Sequence, residues 1–253
     1  MATSSSLGAE SRRATLLEIL QAQGRISIAE AADNLDVSPM TLRRDLADLE
    51  AAGRLRRVRG GAVAPPQPRS FAERSARRAA AKRTIAQKAL QLVPAEGMCA
   101  VDASSTAGVL LAGLSEAADL TVVTNSAENF EAAAGKPGIT PVLIGGHRQA
   151  TTRSFVGPLA ELVASSVHCS RFFTSAAALD ATWGSSESTP EEASLKRTVV
   201  EHSDSTVLLA DSSKLETRAA ARGIALEDVD LLVTELDPSD SALDPYRELI
   251  DLV

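Results

Sequence analysis

Residues 37–50 read VSPMTLRRDLADLE. Ser38 is a helix-capping residue, and Pro39 follows at the first helical position, where no amide hydrogen is needed. Leu42, Leu46 and Leu49 recur at helical spacing and define an apolar face, leaving Met40, Thr41, Arg43 and Arg44 largely outside it. The flanking sequence fits the same pattern. Upstream, Leu16, Leu17, Ile19 and Leu20 predict a helix over 12–23, with Gly24 as its stop. Ser27 and Glu30 form a capping box that starts a second helix with Ile28, Ala31, Ala32 and Leu35 inward. Asp36 and Val37 make the turn into the third helix. Downstream, Gly53 ends that helix and LRRVRGG (55–61) reads as an alternating strand and glycine turn. Residues 10–62 therefore form a helix-turn-helix with a β-wing, behind a disordered tail at 1–9.

This arrangement suits double-stranded DNA. The third helix, capped by Ser38, presents Thr41, Arg43 and Arg44 to the major groove, where arginine pairs bidentately with guanine edges. Arg54, Arg56, Arg57 and Arg59 hold phosphates beside it. Asp45, Asp48 and Glu50 read as intrahelical partners that orient the arginines. A merely solvated charged helix is the competing reading, but cap, turn, helix and basic wing occur here in order.

The charge is divided along the chain. Of 253 residues with net charge -7, residues 1–83 carry +6 and residues 84–253 carry -13. A basic module that meets a polyanion is joined to an acidic body with another task. Hydrophobic residues are 44% and aromatics 3%, so the core is built from aliphatic side chains. No apolar run approaches the roughly 20 residues that span a bilayer, and the start lacks the order of a signal peptide. Cys99 and Cys169 read as buried thiols of a cytoplasmic protein. His147, His168 and His202 lack metal-ligand spacing, so neither metal nor cofactor is expected.

Residues 63–83 read as a linker and connector. APPQPRS (64–70) is a semi-rigid spacer, and residues 71–93 form one long basic helix, with Ile85, Ala89, Leu92 and Val93 docked on the next domain. From Gly97 onward, apolar runs at 98–102, 120–124, 141–145, 171–175, 206–211 and 230–235 alternate with helical patterns at 106–114, 126–134, 156–166 and 190–202. The fold class is thus a small winged helix-turn-helix domain followed by an α/β domain (84–253) with a mostly parallel sheet.

Ligands bind such sheets at the carboxyl ends of the strands. Those positions hold Asp102, Ser104, Ser105 and Thr106; Thr124 and Asn125; Gly145 and Gly146; Lys196; Asp211 and Lys214. Singly, each is as readily a cap or a turn. Together they supply hydroxyls, amides, lysines and carboxylates suited to a phosphorylated sugar or polyol. Trp183 either lines that pocket or anchors a loop.

The run AEAADNLDVSPMTLRRDLADLEAAGRLRRVRGGA (29–62) closely resembles the amino-terminal domain of the DeoR family of bacterial transcriptional regulators. Its VS-x-x-T-[IL]-RRDL core and R-x-x-GGA end match at 37–46 and 57–62. The resemblance continues from about 97 to 235 through DASST, VVTNS, LIGG, EEASLKR and LLADSSK. It implies a carboxyl domain similar to sugar-phosphate isomerases that binds a sugar phosphate as effector. Ser104, Ser105 and Thr106 would then be the phosphate loop, Lys214 would lie near the ligand, and Asp102 and Asp211 would face its hydroxyls. Two departures stand out: Ser104 replaces the family's glycine, which would tighten the loop, and Glu235 replaces its aspartate. Residues 176–190 also lack the family's glycines. The expectation is a repressor of a carbohydrate-metabolism operon, at least dimeric, released from its operator by a phosphorylated sugar or polyol. The rival is a sugar-phosphate isomerase-like enzyme with an appended DNA-binding arm.

Overall fold

The computed structural model describes residues 3–51, 54–63 and 70–253. The chain forms two compact units, Met1–Gln67 and Pro68–Val253. Gly53 and all but Ser70 of the proline-rich spacer lie outside the described residues.

In the first unit, α1 (Thr3–Gln23), β1 (Arg25–Ser27), α2 (Ile28–Leu35), α3 (Pro39–Ala51), β2 (Arg56–Val58) and β3 (Gly61–Val63) follow in chain order. α1 begins inside the stretch expected to be a disordered tail. That stretch has no proline, and each residue added to an existing helix gains a hydrogen bond. Ser27 caps α2 by accepting from Glu30 N, and Asp36 closes it in the left-handed conformation (φ 50°). Leu16, Leu20, Ile26, Leu42, Leu46, Leu49 and Leu55 make the core.

β1 was not anticipated. It pairs antiparallel with β3, which also pairs with β2, so the wing is three-stranded. The Gly60-Gly61 pair has two distinct causes. Gly60 turns the chain at φ +85°, and a Cβ on Gly61 would lie 1.8 Å from the Ile26 carbonyl oxygen. Gly61→Ala is therefore expected to force β3 off β1 and destabilise this unit by at least about 1–3 kcal/mol. Urea unfolding followed by circular dichroism would show it, and an unchanged midpoint would contradict the packing.

The second unit contains α4 (Phe71–Ala76), α5 (Ala79–Leu90), β4 (Glu96–Val101), α6 (Ser105–Gly113), β5 (Asp119–Thr124), α7 (Ala127–Ala133) and β6 (Ile139–Leu143). Next come β7 (His147–Arg148), β8 (Phe155–Val156), α8 (Pro158–Ala164), β9 (Arg171–Thr174), β10 (Ala178–Asp180), β11 (Gly184–Glu187) and α9 (Pro190–Glu201). β12 (Thr206–Leu209), β13 (Ala221–Arg222), β14 (Leu231–Val233) and β15 (Asp251–Leu252) complete it. Seven strands form one parallel sheet in the order β15-β14-β12-β9-β4-β5-β6. Side chains alternate between its faces. Ala100, Val123, Phe172 and Leu208 enter one core, and Cys99, Val101, Val122, Phe173, Val207 and Leu209 enter the other. Both faces are covered, as a parallel sheet requires.

The expected single connector helix is two helices, and both belong to this second unit. It breaks at Arg77-Arg78, where Arg78 takes φ 53°. A non-glycine residue held left-handed needs compensation. Arg78 donates to Ser212 Oγ (2.5 Å) and Glu235 Oε1 (2.6 Å), and its Nε lies 3.4 Å from Asp211. α5 then buries Ile85, Ala86 and Ala89 against the sheet.

Candidate functional site

On the first unit, α3 turns Arg43 and Arg44 to solvent, with Met40 69% exposed beside them. Neither arginine has an ion-pair partner among the described residues. Ser38 Oγ accepts from Thr41 N (3.1 Å) and lies 2.9 Å from Thr41 Oγ1, so both side chains hold the cap. The acidic residues of α3 do not orient these arginines, contrary to expectation. Asp45 is buried and accepts from Arg12 Nε, Asp48 lies 3.5 Å from Arg13, and Glu50 binds Arg57 N (2.8 Å) and Nε (2.6 Å). They fasten α1 and the wing to the recognition helix. Arg54 and Arg59 are exposed, Arg57 is partly committed to Glu50, and the side chain of Arg56 lies outside what is described.

In the second unit the chain builds β5 and β6 on one side of β4, then returns to build β9, β12, β14 and β15 on the other. The switch point is therefore the crevice between the carboxyl ends of β4 and β9. Asp102 sits there, 3% exposed. Its Oδ1 accepts from Ser104 N (3.0 Å). Its Oδ2 accepts from Thr174 Oγ1 (2.9 Å), Ser175 N (3.0 Å) and Lys196 Nζ (2.9 Å). A carboxylate has about four lone-pair sites; with three donors on Oδ2 and one on Oδ1, Asp102 organises the crevice. Although burial opposes ionisation, Lys196 and the amides keep its carboxyl below the usual range.

Lys196 is equally committed. Besides Asp102 it reaches Glu187 Oε1 (2.8 Å) and the Ser175 carbonyl (2.6 Å). Burial lifts Glu187 to about 7; Lys196 opposes that shift, and Glu192 and Asp102 add to it.

Other expected site residues also make local structural hydrogen bonds. Ser104, which replaces the family's glycine, caps α6 by accepting from Ala107 N (3.1 Å). Thr124 Oγ1 accepts from Ser126 N, Ser126 caps α7, and Asn125 Nδ2 donates to the Phe155 carbonyl (3.1 Å). Gly146 packs against β8 and α8, where a Cβ would meet Val156 O at 2.8 Å, while Gly145 stands open. Asp211 accepts from Ser213 N and Oγ and faces Arg78. Glu235, the second departure, accepts from Ser212 N and Arg78.

Thr106 is buried at the first turn of α6. Ser105 Oγ accepts from Lys82 Nζ (2.9 Å), and Lys214 Nζ donates to Ser175 Oγ (2.6 Å). Lys82, Arg74, Arg78, Thr174, Ser175 and Glu187 were not anticipated. Lys82 carried a signal: it shares a helical face with Ile85, Ala86 and Ala89, where a lysine is out of place unless it has a task. Trp183 lies in the β10–β11 turn with Arg218 5.6 Å from its ring centre, a loop anchor. Among the described residues no His, Cys, Asp and Glu cluster could hold a metal, and no helix is long and apolar enough to cross a membrane.

A winged helix-turn-helix joined to a parallel α/β domain, with a polar crevice at the sheet's switch point, defines a DNA-binding regulator with a sensing domain. The comparisons agree. The DeoR-like helix-turn-helix domain matches residues 12–67 and the DeoR C terminal sensor domain matches 77–236. This chain belongs to the DeoR family of transcriptional regulators. It is 35% identical to the uncharacterized HTH-type transcriptional regulator YulB of Bacillus subtilis, covering 92% of this chain and 90% of that one. It is 34% identical to the L-fucose operon activator of Haemophilus influenzae (94% and 96% covered). To the lactose phosphotransferase system repressor of Streptococcus mutans it is 30% identical (96% and 99% covered). Among solved structures it is similar to ribose 5 phosphate isomerase A of Neisseria gonorrhoeae, with 18% identity, 53% and 52% coverage and a TM-score of 0.37. That likeness is too loose to carry a functional argument.

Proposed function

We propose that this regulator represses a carbohydrate operon, binds its operator through α3 and the wing, and is released by a phosphorylated sugar or polyol. The observation that carries the reading is the crevice at the switch point. Two lysines, the buried Lys82 and the half-buried Lys214, end there on the hydroxyls of Ser105 and Ser175, a donor set matched to an anionic, hydroxyl-bearing ligand. Regulators among its relatives act on fucose and lactose systems by their names, which supports a carbohydrate effector. One helix-turn-helix contacts one half-site, so operator binding calls for a homodimer or larger assembly.

The test is a mobility-shift assay of the full chain on its own upstream DNA, with phosphorylated pentoses, hexoses and polyols added in turn. One phosphorylated compound is expected to release the DNA and raise the melting temperature by mass action, while its unphosphorylated counterpart does neither. Lys214→Ala should still bind operator and no longer respond. Release by a neutral sugar alone, or by nothing in the panel, would contradict the reading.

We also infer that the protein turns over no substrate. Asp102, the natural acid–base candidate, is locked in four hydrogen bonds. Isomerisation of any panel member would overturn this and would direct attention to Glu187.

A further inference from the structure

The outward face of α3 carries one large apolar side chain amid its charges. At about 100° per residue, Met40 and Ala47 lie in the middle of that face, with Arg43 and Arg44 on either side. Leu42, Asp45, Leu46 and Leu49 occupy the opposite side and are buried. Met40 is 69% exposed, more than any other large apolar residue among those described. A single exposed methionine is common on protein surfaces. Its position distinguishes this one: it stands between the two arginines, and Ala47, two turns on, is too small to shield it.

The other side chains at this end of the helix are committed. Ser38 Oγ accepts from Thr41 N (3.1 Å) and lies 2.9 Å from Thr41 Oγ1, so the two hydroxyls serve the cap and each other. Asp45 is tied to Arg12 and Arg13, Asp48 to Arg13, and Glu50 to Arg57. What α3 offers outward is therefore two exposed guanidinium groups and, between them, a thioether.

A thioether donates no hydrogen bond and accepts only weakly, so Met40 cannot read base edges as the arginines do. Among those edges the major groove presents one apolar group, the C5-methyl of thymine. Packing on it takes methyl and thioether out of water together. The unbranched methionine chain adapts to such a contact without moving the helix. Its reach sets the register. Met40 precedes the arginines by about 4.5 to 6 Å along the helix axis, and base pairs stack about 3.4 Å apart. The thymine thus belongs within about two base pairs of the guanines.

We propose that Met40 is a specificity-determining residue, packing on the C5-methyl group of one thymine in each operator half-site beside the guanines that Arg43 and Arg44 read. This rests on the reading of α3 as the element that enters the major groove. It adds a discrimination the arginines do not supply. A cytosine at that position would press its amino donor against an apolar chain, where the donor finds no acceptor.

The experiment uses the full-length protein and duplexes of its own upstream DNA. Thymines are replaced, one position at a time in both half-sites, by deoxyuridine, which lacks only the methyl group. In mobility shifts, wild type is expected to lose about fourfold in affinity per half-site at one position, the loss of one buried methyl group. Met40→Ala should bind the thymine duplex more weakly and lose nothing further with deoxyuridine at that position, because both changes remove the same contact. Met40→Leu should retain most of the methyl sensitivity. The melting temperature of Met40→Ala should not move, since the side chain is exposed. A sensitive position that stays equally sensitive in Met40→Ala, or a wild type indifferent to deoxyuridine throughout both half-sites, would overturn the assignment and leave Arg43 and Arg44 in the groove. An Arg43→Ala, Arg44→Ala protein that bound operator as well as wild type would overturn the reading of α3, and this assignment with it.

Discussion

Replacing Lys196 with Met is expected to destabilise the carboxyl-terminal unit by about 3–5 kcal/mol, the usual consequence of stranding a buried charge. For a unit of this size that is a melting-temperature loss on the order of 10 °C. Lys196 stands between Asp102 and Glu187 at 2.9 and 2.8 Å. Both carboxylates are almost fully buried, so neither regains solvation when the ammonium is lost. The variant should also depend on pH with a definite sign. Burial holds Glu187 at about 7 in the folded protein, above the ordinary 4.5. Between those values the native state binds more protons than the unfolded one, so stability falls as pH rises through the window. Removing Lys196 raises both carboxyls further and makes the loss larger above neutrality than at pH 5.5. Urea denaturation of wild type, Lys196→Met and Glu187→Gln at pH 5.5, 7 and 8.5 would measure this. Glu187→Gln should flatten the wild-type slope. A Lys196→Met deficit that was small, or equal at all three pH values, would show that the cluster is not the hub of the crevice.

The Arg43→Ala, Arg44→Ala double variant should lose nearly all specific operator binding. Each base-reading arginine is worth about 1–3 kcal/mol, so the pair reduces affinity by roughly 30- to 10,000-fold if the two losses add. Both side chains are exposed and have no ion-pair partner among the described residues, so the melting temperature should not move. Arg57→Ala offers a contrast. Arg57 is tied to Glu50 (2.6 Å), so its loss also frees the wing from α3. It should weaken specific and nonspecific DNA alike and reduce the salt dependence of binding. Mobility shifts on operator and on scrambled DNA at two salt concentrations separate the two behaviours. Unchanged operator affinity in the double variant would remove α3 from the recognition surface.

Much of this was legible in the chain because its cause is local. Ser38, Pro39 and the leucine spacing of α3 act within a few residues, so cap, start and buried face could be read directly. The six main strands of the large sheet carry apolar side chains on both faces, a pattern that survives without knowledge of neighbours. The β10–β11 hairpin was missed for the opposite reason. Its Ser185 and Ser186 are wholly buried, and their hydroxyls accept from the amides of Ile224 and Ala219 (2.8 Å each). Polar residues that satisfy distant backbone give no alternation to detect.

The sequence by itself determined that a basic, capped and winged module precedes an acidic, doubly covered parallel sheet with polar strand ends. Which strand-end groups remain for a ligand was decided only by the tertiary structure. Asp102 seemed available because its partners Thr174 and Ser175 lie 72 and 73 residues away in the chain, and Lys196 because it pairs with Asp102 and with Glu187 of a hairpin that the sequence did not announce. Lys82 seemed to belong to a connector, yet it ends on Ser105 Oγ. A charged group's availability depends on its counter-charges, and those are set by long-range packing that no local pattern records. Arg78 makes the same point: its left-handed turn is stable because Glu235, 157 positions onward, holds its guanidinium.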